Sequence, residues 1–478
     1  MNRPARAALF AVLSLALVSC AGPTSPLNVV VILIDDLGWT DTGVYGSSFY
    51  ETPNIDALAS RGVRFTQFYT ASSVCSPTRA SLMTGKHPAR LDLTNWIGGE
   101  QNGLLNQARY IRRLPLPEVT IGEAFRDHGY ATAYVGKWHL GTEGFMPDVQ
   151  GFDFTSAVNY AGQPGSYFAP YENPGTPRSA VPDLYGDDEK AYLTDRLTDV
   201  SIDFMARNQD RPFFLVVSHY AVHTPLQARE EVVARYEAKA SALGPQSDEH
   251  YEVERDASTR LRQDHPTYAA MVESTDESVG RIVQRLRELG IEDRTAVVFV
   301  SDNGGLSTLM RRGFNQATAN LPLRAGKGWL YEGGIRAPLI VVAPDAPRGR
   351  EVHEPATSTD LYPTLLELAG LPDMPTQHRD GVSLAAAIQG DDGAGQRPLY
   401  WHFPHYHGSG NRPGGAIRAG DLKLVEWFED GAVELYDLSR DIGERRDLID
   451  ERPEEAARLL NELRRWREEV GANMPTRP

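Results

Sequence analysis

Five apolar runs punctuate the chain, and the first four stop abruptly at glycine or polar groups. Asn28 to Ile34 reads Asn-Val-Val-Val-Ile-Leu-Ile, and Ala131 to Val135, Phe213 to Val217, Ala296 to Val300 and Leu339 to Val342 have the same texture. Continuous β-branched runs, as opposed to alternating ones, suit strands buried on both faces of a parallel sheet. Helical patterns lie between them. Asn54 to Arg61 is one, residues 120 to 129 ending at Gly129 are a second, and Val272, Val279, Ile282, Val283, Leu286 and Leu289 form a third with Gly290 placed to stop it. The alternation predicts an α/β fold: a large mixed, mainly parallel sheet sandwiched by helices. Residues 226 to 267 are polar and charged, and read as a helical insertion on the surface. Past a Gly/Asp-rich connection at 390–395 the texture changes. Short alternating runs at 398–403, 415–419, 422–428 and 432–436 predict a smaller antiparallel sheet, and Ala456, Leu459, Leu460, Leu463 and Trp466 mark a final helix packed on it. The expected units are therefore 27–389 and 396–478.

The N-terminus follows a different pattern. Arg3 and Arg6 precede an apolar run from Ala7 to Val18 and then Leu17-Val18-Ser19-Cys20. The run is shorter than the roughly 20 apolar residues of a membrane span and matches the hydrophobic core of an export signal over residues 1–20. The ending resembles a bacterial lipobox, which would make Cys20 a lipid anchor; cleavage after Ala21 is the rival. Either way the expected location is outside the cytoplasm: periplasm, outer membrane or cell surface.

Composition narrows the partners. The chain has 478 residues, 41% hydrophobic and 23% charged, which is ordinary globular usage. Lys and Arg total 48 against 64 Asp and Glu, a net −16, so no general basic surface exists to hold nucleic acid. An anionic substrate has to be caught by local charge. With Cys20 removed or lipidated, Cys75 has no partner and no disulfide forms.

The candidate chemistry sits where the runs end. Asp35-Asp36 follows the first strand, Lys137 and His139 follow the second, His219 and His223 the third, and Asp302-Asn303-Gly304-Gly305 the fourth, while Lys327 lies in a glycine-rich loop before the fifth. Ligands bind at the carboxyl ends of strands in such sheets. Singly, each group has a plain reading: a helix cap, a surface lysine, a satisfied histidine. Jointly they supply oxygen ligands for a hard divalent cation together with several positive charges. The stretch Ser73 to Gly85 adds a nucleophile candidate. Pro77 suits the start of a helix and Gly85 its end, which puts Cys75 at a helix N-terminus with Arg79 nearby. A buried, inert thiol is the commoner fate of a lone cysteine. Trp96 and the loop carrying His402, His405 and His407 are candidates to meet a substrate; a zinc site on that loop lacks cysteines or a patterned acid.

Cys75-Ser76-Pro77-Thr78-Arg79 resembles the Cys-x-Pro-x-Arg modification signature of the formylglycine-dependent type I sulfatases, in the alkaline phosphatase superfamily, and Leu82-Met83-Thr84-Gly85 resembles their downstream Leu-x-Thr-Gly element. Thr78 stands where many members have serine. The resemblance spans nearly the whole chain and implies an alkaline phosphatase-like fold and hydrolysis of sulfate esters. It implies that Cys75 becomes formylglycine, through a formylglycine-generating or anaerobic sulfatase-maturating enzyme, and that Asp35, Asp36, Asp302 and Asn303, with residue 75, hold one calcium ion (Ca2+). Arg79 and Lys137 would orient the hydrated aldehyde, Asp302 would assist its deprotonation, His223 or Lys327 would protonate the departing alcohol, and His139 would take the second hydroxyl proton. The implied substrate is a sulfated carbohydrate, met by Trp96, His402 and His405; galactose- or N-acetylgalactosamine-type sulfates are the family guess. Two other readings stay open: a phosphonate monoester or phosphodiester hydrolase of the same superfamily, in which histidine is expected at position 303, and a catalytically inactive carbohydrate-binding relative.

Overall fold

The structure of the protein is a computed structural model that describes residues 26–184, 188–391 and 397–478. The expected signal at 1–20, with Cys20, and residues 392–395 of the connection lie outside the described residues.

Eight strands make the main sheet: β1 Asn28–Ile34, β2 Val63–Phe65, β3 Ala131–Gly136, β4 Phe154–Ser156, β5 Phe213–Ser218, β6 Thr295–Ser301, β7 Leu339–Val342 and β8 Arg350–Val352. Their spatial order is β8-β2-β7-β6-β1-β5-β3-β4. β1 is central and parallel to both neighbours, with Val30 opposite Leu215 and Val297. β3 and β4 continue the parallel set, whereas β7 runs antiparallel between β6 and β2. The continuous apolar character of β1 now has its reason. Val30, Ile32 and Ile34 enter one core with the helices Leu193–Arg207 and Pro266–Glu288, while Val29, Val31 and Leu33 enter the other with Cys75–Thr84 and Ile121–Asp127. A strand covered on both faces has no place for polar alternation.

The charged segment 226–267 is helical only in part. The helix Glu230–Ala242 is followed by a hairpin, Tyr251–Glu254 and Ala257–Arg260, which pairs with Thr308–Leu309. Its charges look like a solvated helix in sequence, but partners far along the chain neutralise them: Arg324 Nε donates to Glu254 Oε2 at 2.7 Å, and Arg445 grips Glu252.

The C-terminal unit is a four-stranded antiparallel meander, β9 Leu399–Phe403, β10 Gly414–Ala419, β11 Leu422–Trp427 and β12 Val433–Asp437. The helix Pro453–Val470 lays Leu459 and Leu463 on Ile417, Leu424 and Leu435 of one face. The other face packs Trp401, Phe403 and Trp427 against Trp329, Leu330 and Tyr331 of the large unit. Lys423 of β11 is fully buried between Glu332 and Glu444, its Nζ 3.0 Å from Glu332 Oε1 and 2.8 Å from Glu444 Oε1.

Topology decides where the chemistry collects. β6, β1, β5 and β3 are adjacent and parallel, so the residues following them share one edge. β7 points the other way, with Leu339 beside Val300 near the end of β6. The loop that enters β7, carrying Lys327, therefore arrives at the same edge.

Candidate active site

Asp35, Asp36 and Asp302 are buried and present oxygens within 4.8 Å of one another. Each is tied to a cation brought by another loop. Lys137 Nζ donates to Asp35 Oδ2 at 2.6 Å, Arg79 Nε to Asp302 Oδ2 at 2.7 Å, and Lys327 Nζ lies 2.6 Å from Asp36 Oδ1. Arg79 Nη1 also donates to the Lys137 carbonyl and to Ser218 Oγ, both at 2.7 Å, which locks the ends of β3 and β5 to the Cys75 helix. Three carboxylates thus face three cations. Burial pushes Asp35 well above the usual carboxylate range despite Lys137, with Asp302 and Asp36 adding to the push. Asp36 is held below that range: Lys327 and His223 outweigh its burial.

The donor set fits a hard divalent cation. Asp35 Oδ1 and Asn303 Oδ1 are buried without any hydrogen-bond partner, while Asn303 Nδ2 is already spent on Asp36 Oδ1 at 2.8 Å. Unmet acceptor oxygens in the interior are costly, and an oxygen-seeking cation satisfies them together. An added divalent charge would leave the cluster near +2, the complement of a sulfate or phosphate ester.

Two of these positions carry left-handed backbone in side-chain-bearing residues, Asp36 at φ 64° and His139 at φ 56°. Such conformations are uncommon outside glycine and persist where surrounding structure holds them.

The helix Cys75–Thr84 starts at Cys75, two residues earlier than the sequence reading, with Pro77 still inside the first turn, where its missing N–H costs nothing. All ten of its residues are buried, no side chain caps its first turn, and Gly85 ends it at φ 66°. Cys75 Sγ lies 3.3 Å from His139 Nδ1. His139 Nε2 lies 3.1 Å from the Ile97 carbonyl, which can only accept, so Nε2 carries the hydrogen and Nδ1 offers a lone pair to residue 75. Burial and then Lys137 hold this imidazole well below its ordinary pKa, hence neutral. Gly162 makes the close approach possible: a Cβ there would sit 2.3 Å from His139 Cε1. His223 is arranged in the opposite sense. Its Nδ1 donates to the Thr224 carbonyl at 2.9 Å and its Nε2 faces Asp36 Oδ2 at 3.8 Å, with burial and Lys327 lowering its pKa to about 3.

A cavity of about 520 Å3 opens above this floor, lined by Cys75, His139, His223 and Lys327 and walled by Trp96, Tyr160, Arg178 and His407. Trp96 stands where the sequence suggested. His402 and His405 do not line it. His402 Nε2 donates to the Asn473 carbonyl within the C-terminal unit and His405 Nε2 is 2.8 Å from Thr94 Oγ1 across the seam between the two units, and both are buried. The strand β9 sends Trp401 and Phe403 into one core, leaving the intervening His402 on the opposite face against the C-terminal tail. His407 is the member of that loop that reaches the cavity. It packs on Gly328, where a Cβ would fall 2.3 Å from its Nδ1 and where φ is 87°. Tyr160, Gln163 and Arg178 carried no sequence signal beyond Gly/Pro-rich, aperiodic chain, whereas Ser218 directly follows the third apolar run and was not singled out.

Among known proteins, the family model described as Sulfatase matches residues 27–371, and one described as N-sulphoglucosamine sulphohydrolase, C-terminal, matches 325–469. The chain is 32% identical to a protein named Sulfatase from Formosa agariphila, covering 94% of this chain and 90% of that one. It is 32% identical to human Arylsulfatase A, covering 91% and 86%. Among solved structures, Ps i-CgsB in complex with k-i-k-neocarrahexaose superposes with a TM-score of 0.76 at 28% identity, covering 93% of each chain. A phosphonate monoester hydrolase of Agrobacterium radiobacter shares the fold at a TM-score of 0.62 and 22% identity, covering 92% of this chain and 96% of that one.

Proposed function

The chain belongs to the sulfatase family, and from that premise we propose that it hydrolyses sulfate esters of carbohydrates at Cys75, converted to formylglycine, above a calcium ion held by Asp35, Asp36, Asp302, Asn303 and residue 75. The observation that carries the reading is the pair of orphaned oxygens, Asp35 Oδ1 and Asn303 Oδ1, lying in one cluster with Arg79, Lys137 and Lys327 beneath a cavity that reaches Cys75. The carbohydrate part is supported by Ps i-CgsB, which was solved with a neocarrahexaose.

When bound, the calcium ion supplies positive charge to sulfate oxygens, and the hydrated aldehyde of residue 75 supplies the hydroxyl that attacks sulfur. The chain's own groups do the rest. Lys137 and Arg79 fix the carboxylates and add charge where the transition state gathers it. Asp302, gripped by Arg79 Nε, assists deprotonation of the attacking hydroxyl. Lys327, whose pKa is raised by Asp36 and other nearby anions despite burial, holds a proton and delivers it to the departing alcohol oxygen, while His223 Nε2, which carries no hydrogen when Nδ1 donates to Thr224, accepts a hydrogen bond beside it. His139 Nδ1, the lone pair on residue 75, takes the hydroxyl proton whose removal expels sulfate. Overall, water and a sulfate ester become an alcohol and sulfate.

Residues 1–20 serve export, with Cys20 as the lipid anchor, and among the described residues no helix is long and apolar enough to cross a membrane. The maturating enzyme is the required protein partner.

The test is mass spectrometry of the peptide holding residue 75, together with turnover of matched sulfate and phosphonate esters. An aldehyde and preference for sulfate are expected. Full activity with an intact thiol overturns the mechanism.

A further inference from the structure

A second cavity of about 730 Å3 adjoins the first, and both lie in the roughly 300–1,000 Å3 range of ligand sites. Tyr160 and Arg178 line both. They form a thin partition, not a floor, and neither side chain makes a hydrogen bond or ion pair among the described residues. Arg178 is exposed, and its charge is not already committed to a carboxylate among the described residues. The Tyr160 ring is about half exposed, at 49%.

The partition is held in place from the catalytic floor. Tyr220, just past β5, donates its hydroxyl to the Ala157 carbonyl at 2.9 Å, and Tyr167 donates to the carbonyls of Tyr220 and His223 at 2.6 and 2.9 Å. Asn159 Nδ2 clips the same loop by donating to the Gln163 and Ser179 carbonyls at 2.9 and 3.0 Å. The wall is therefore rigidly referenced to the residues that face the sulfur.

The second cavity differs chemically from the first. Apolar groups such as Val158, Pro170 and Pro177 line it, and among the described residues its charged groups besides Arg178 are Glu172, Asp183 and Glu189. With Arg178 counted, that is three acids against one base among the described residues. A sulfated or uronic sugar would be repelled there. A neutral sugar ring suits it: C–H faces pack on prolines and on an aromatic ring, and hydroxyls donate to carboxylates.

We propose that the second cavity is a subsite for a neutral sugar adjoining the sulfated one, with the Tyr160 ring as the platform between them and the Arg178 guanidinium bracing the sulfated side. The substrate is thus an oligosaccharide in which an uncharged residue neighbours the scissile sulfate. This rests on the sulfatase reading, and the experiment separates the two.

Three synthetic probes are compared: galactose 6-sulfate alone, the same unit linked to galactose, and the same unit linked to glucuronate. The readout is the ratio of kcat/KM between probes in one preparation, so that a general loss of activity cancels. The neutral-linked disaccharide is expected to exceed the other two by about tenfold or more, and Tyr160→Ala and Ala180→Trp, which fills the second cavity, are expected to bring its ratio to the monosaccharide near one. Equal kcat/KM for all three probes in the parent protein overturns the subsite, as does a preference for the glucuronate-linked one. Should no probe be hydrolysed, titration calorimetry with unsulfated galactobiose decides the matter: binding to the parent and not to Ala180→Trp supports the subsite even where the sulfatase reading fails, and absence of binding to the parent overturns it.

Discussion

Two buried charge clusters stand at the two ends of one short segment, Lys327 in the first and Glu332 in the second. The second sets Lys423 between Glu332 and Glu444, with Arg336 and the hydroxyl of Tyr69 also on Glu332, and it closes the seam between the two units without lining the catalytic cavity. The first sets three acids against three bases but leaves Asp35 Oδ1 and Asn303 Oδ1 unmet beneath that cavity. Similar ingredients therefore do opposite jobs. A cluster sealed from the cavity holds a fold together even where an oxygen such as Glu444 Oε1 meets only the Lys423 ammonium at 2.8 Å, while one with unmet acceptors beneath an opening is poised for a ligand.

Cys75→Ala is the substitution expected to cost most, removing turnover by about four orders of magnitude or more while Tm hardly moves, since a small buried side chain is exchanged for another; sulfate release and thermal melting check both halves. Paired substitutions in the two clusters sharpen the contrast. Asp35→Asn is expected to abolish activity and yet, in calcium-free buffer, to match or exceed the parent in Tm, because it relieves carboxylates crowded within 4.8 Å. Lys423→Met leaves two glutamates buried without their cation and should cost about 3–5 kcal/mol of stability, with kcat falling far less than in Asp35→Asn. If both variants lost activity and stability in equal measure, the distinction between the clusters would be wrong.

Chelation should lower the parent's Tm by an amount set by calcium affinity and concentration, and leave the Tm of Asp35→Asn unchanged. A smaller effect tests the closed cluster through pH. Burial, and then Glu332, lift Glu444 from the ordinary glutamate value to about 7 against the pull of Lys423. An acid with a raised folded pKa binds more protons folded than unfolded, so its contribution to stability declines between about pH 4.5 and 7. Glu444→Gln keeps an acceptor for the Glu332 amide and should flatten that part of the Tm profile by a few degrees.

The sequence disclosed much of the floor because Asp35, Asp36, Lys137, His139, Asp302 and Asn303 closely follow apolar runs, and a buried parallel sheet forces those ends to one edge. It placed Asp35, Lys137, His223 and Asp302 at that edge without any knowledge of distances. Of the walls it pointed to Trp96 and missed Tyr160 and Arg178. Tyr160 and Arg178 sit in chain with no period, where only tertiary hydrogen bonds such as that from Tyr220 to Ala157 define position. His402, His405 and His407 were alike as residues in a loop, and only packing separates the two that are buried away from the cavity from the one that lines it. The hairpin at Tyr251–Glu254 was hidden by charges whose partners lie about 70 to 190 residues away.

The burial of the entire Cys75-to-Arg79 signature has a consequence for timing. In the finished protein this segment is wound into a helix inside the core, so on the proposed formylglycine reading a modifying enzyme would have to reach it before the helix is buried. Folding and maturation would then compete once per molecule, and the active fraction of a preparation would record the outcome. Exposing purified protein to the maturating enzyme before and after unfolding would display this competition directly: aldehyde should accumulate only in the unfolded sample.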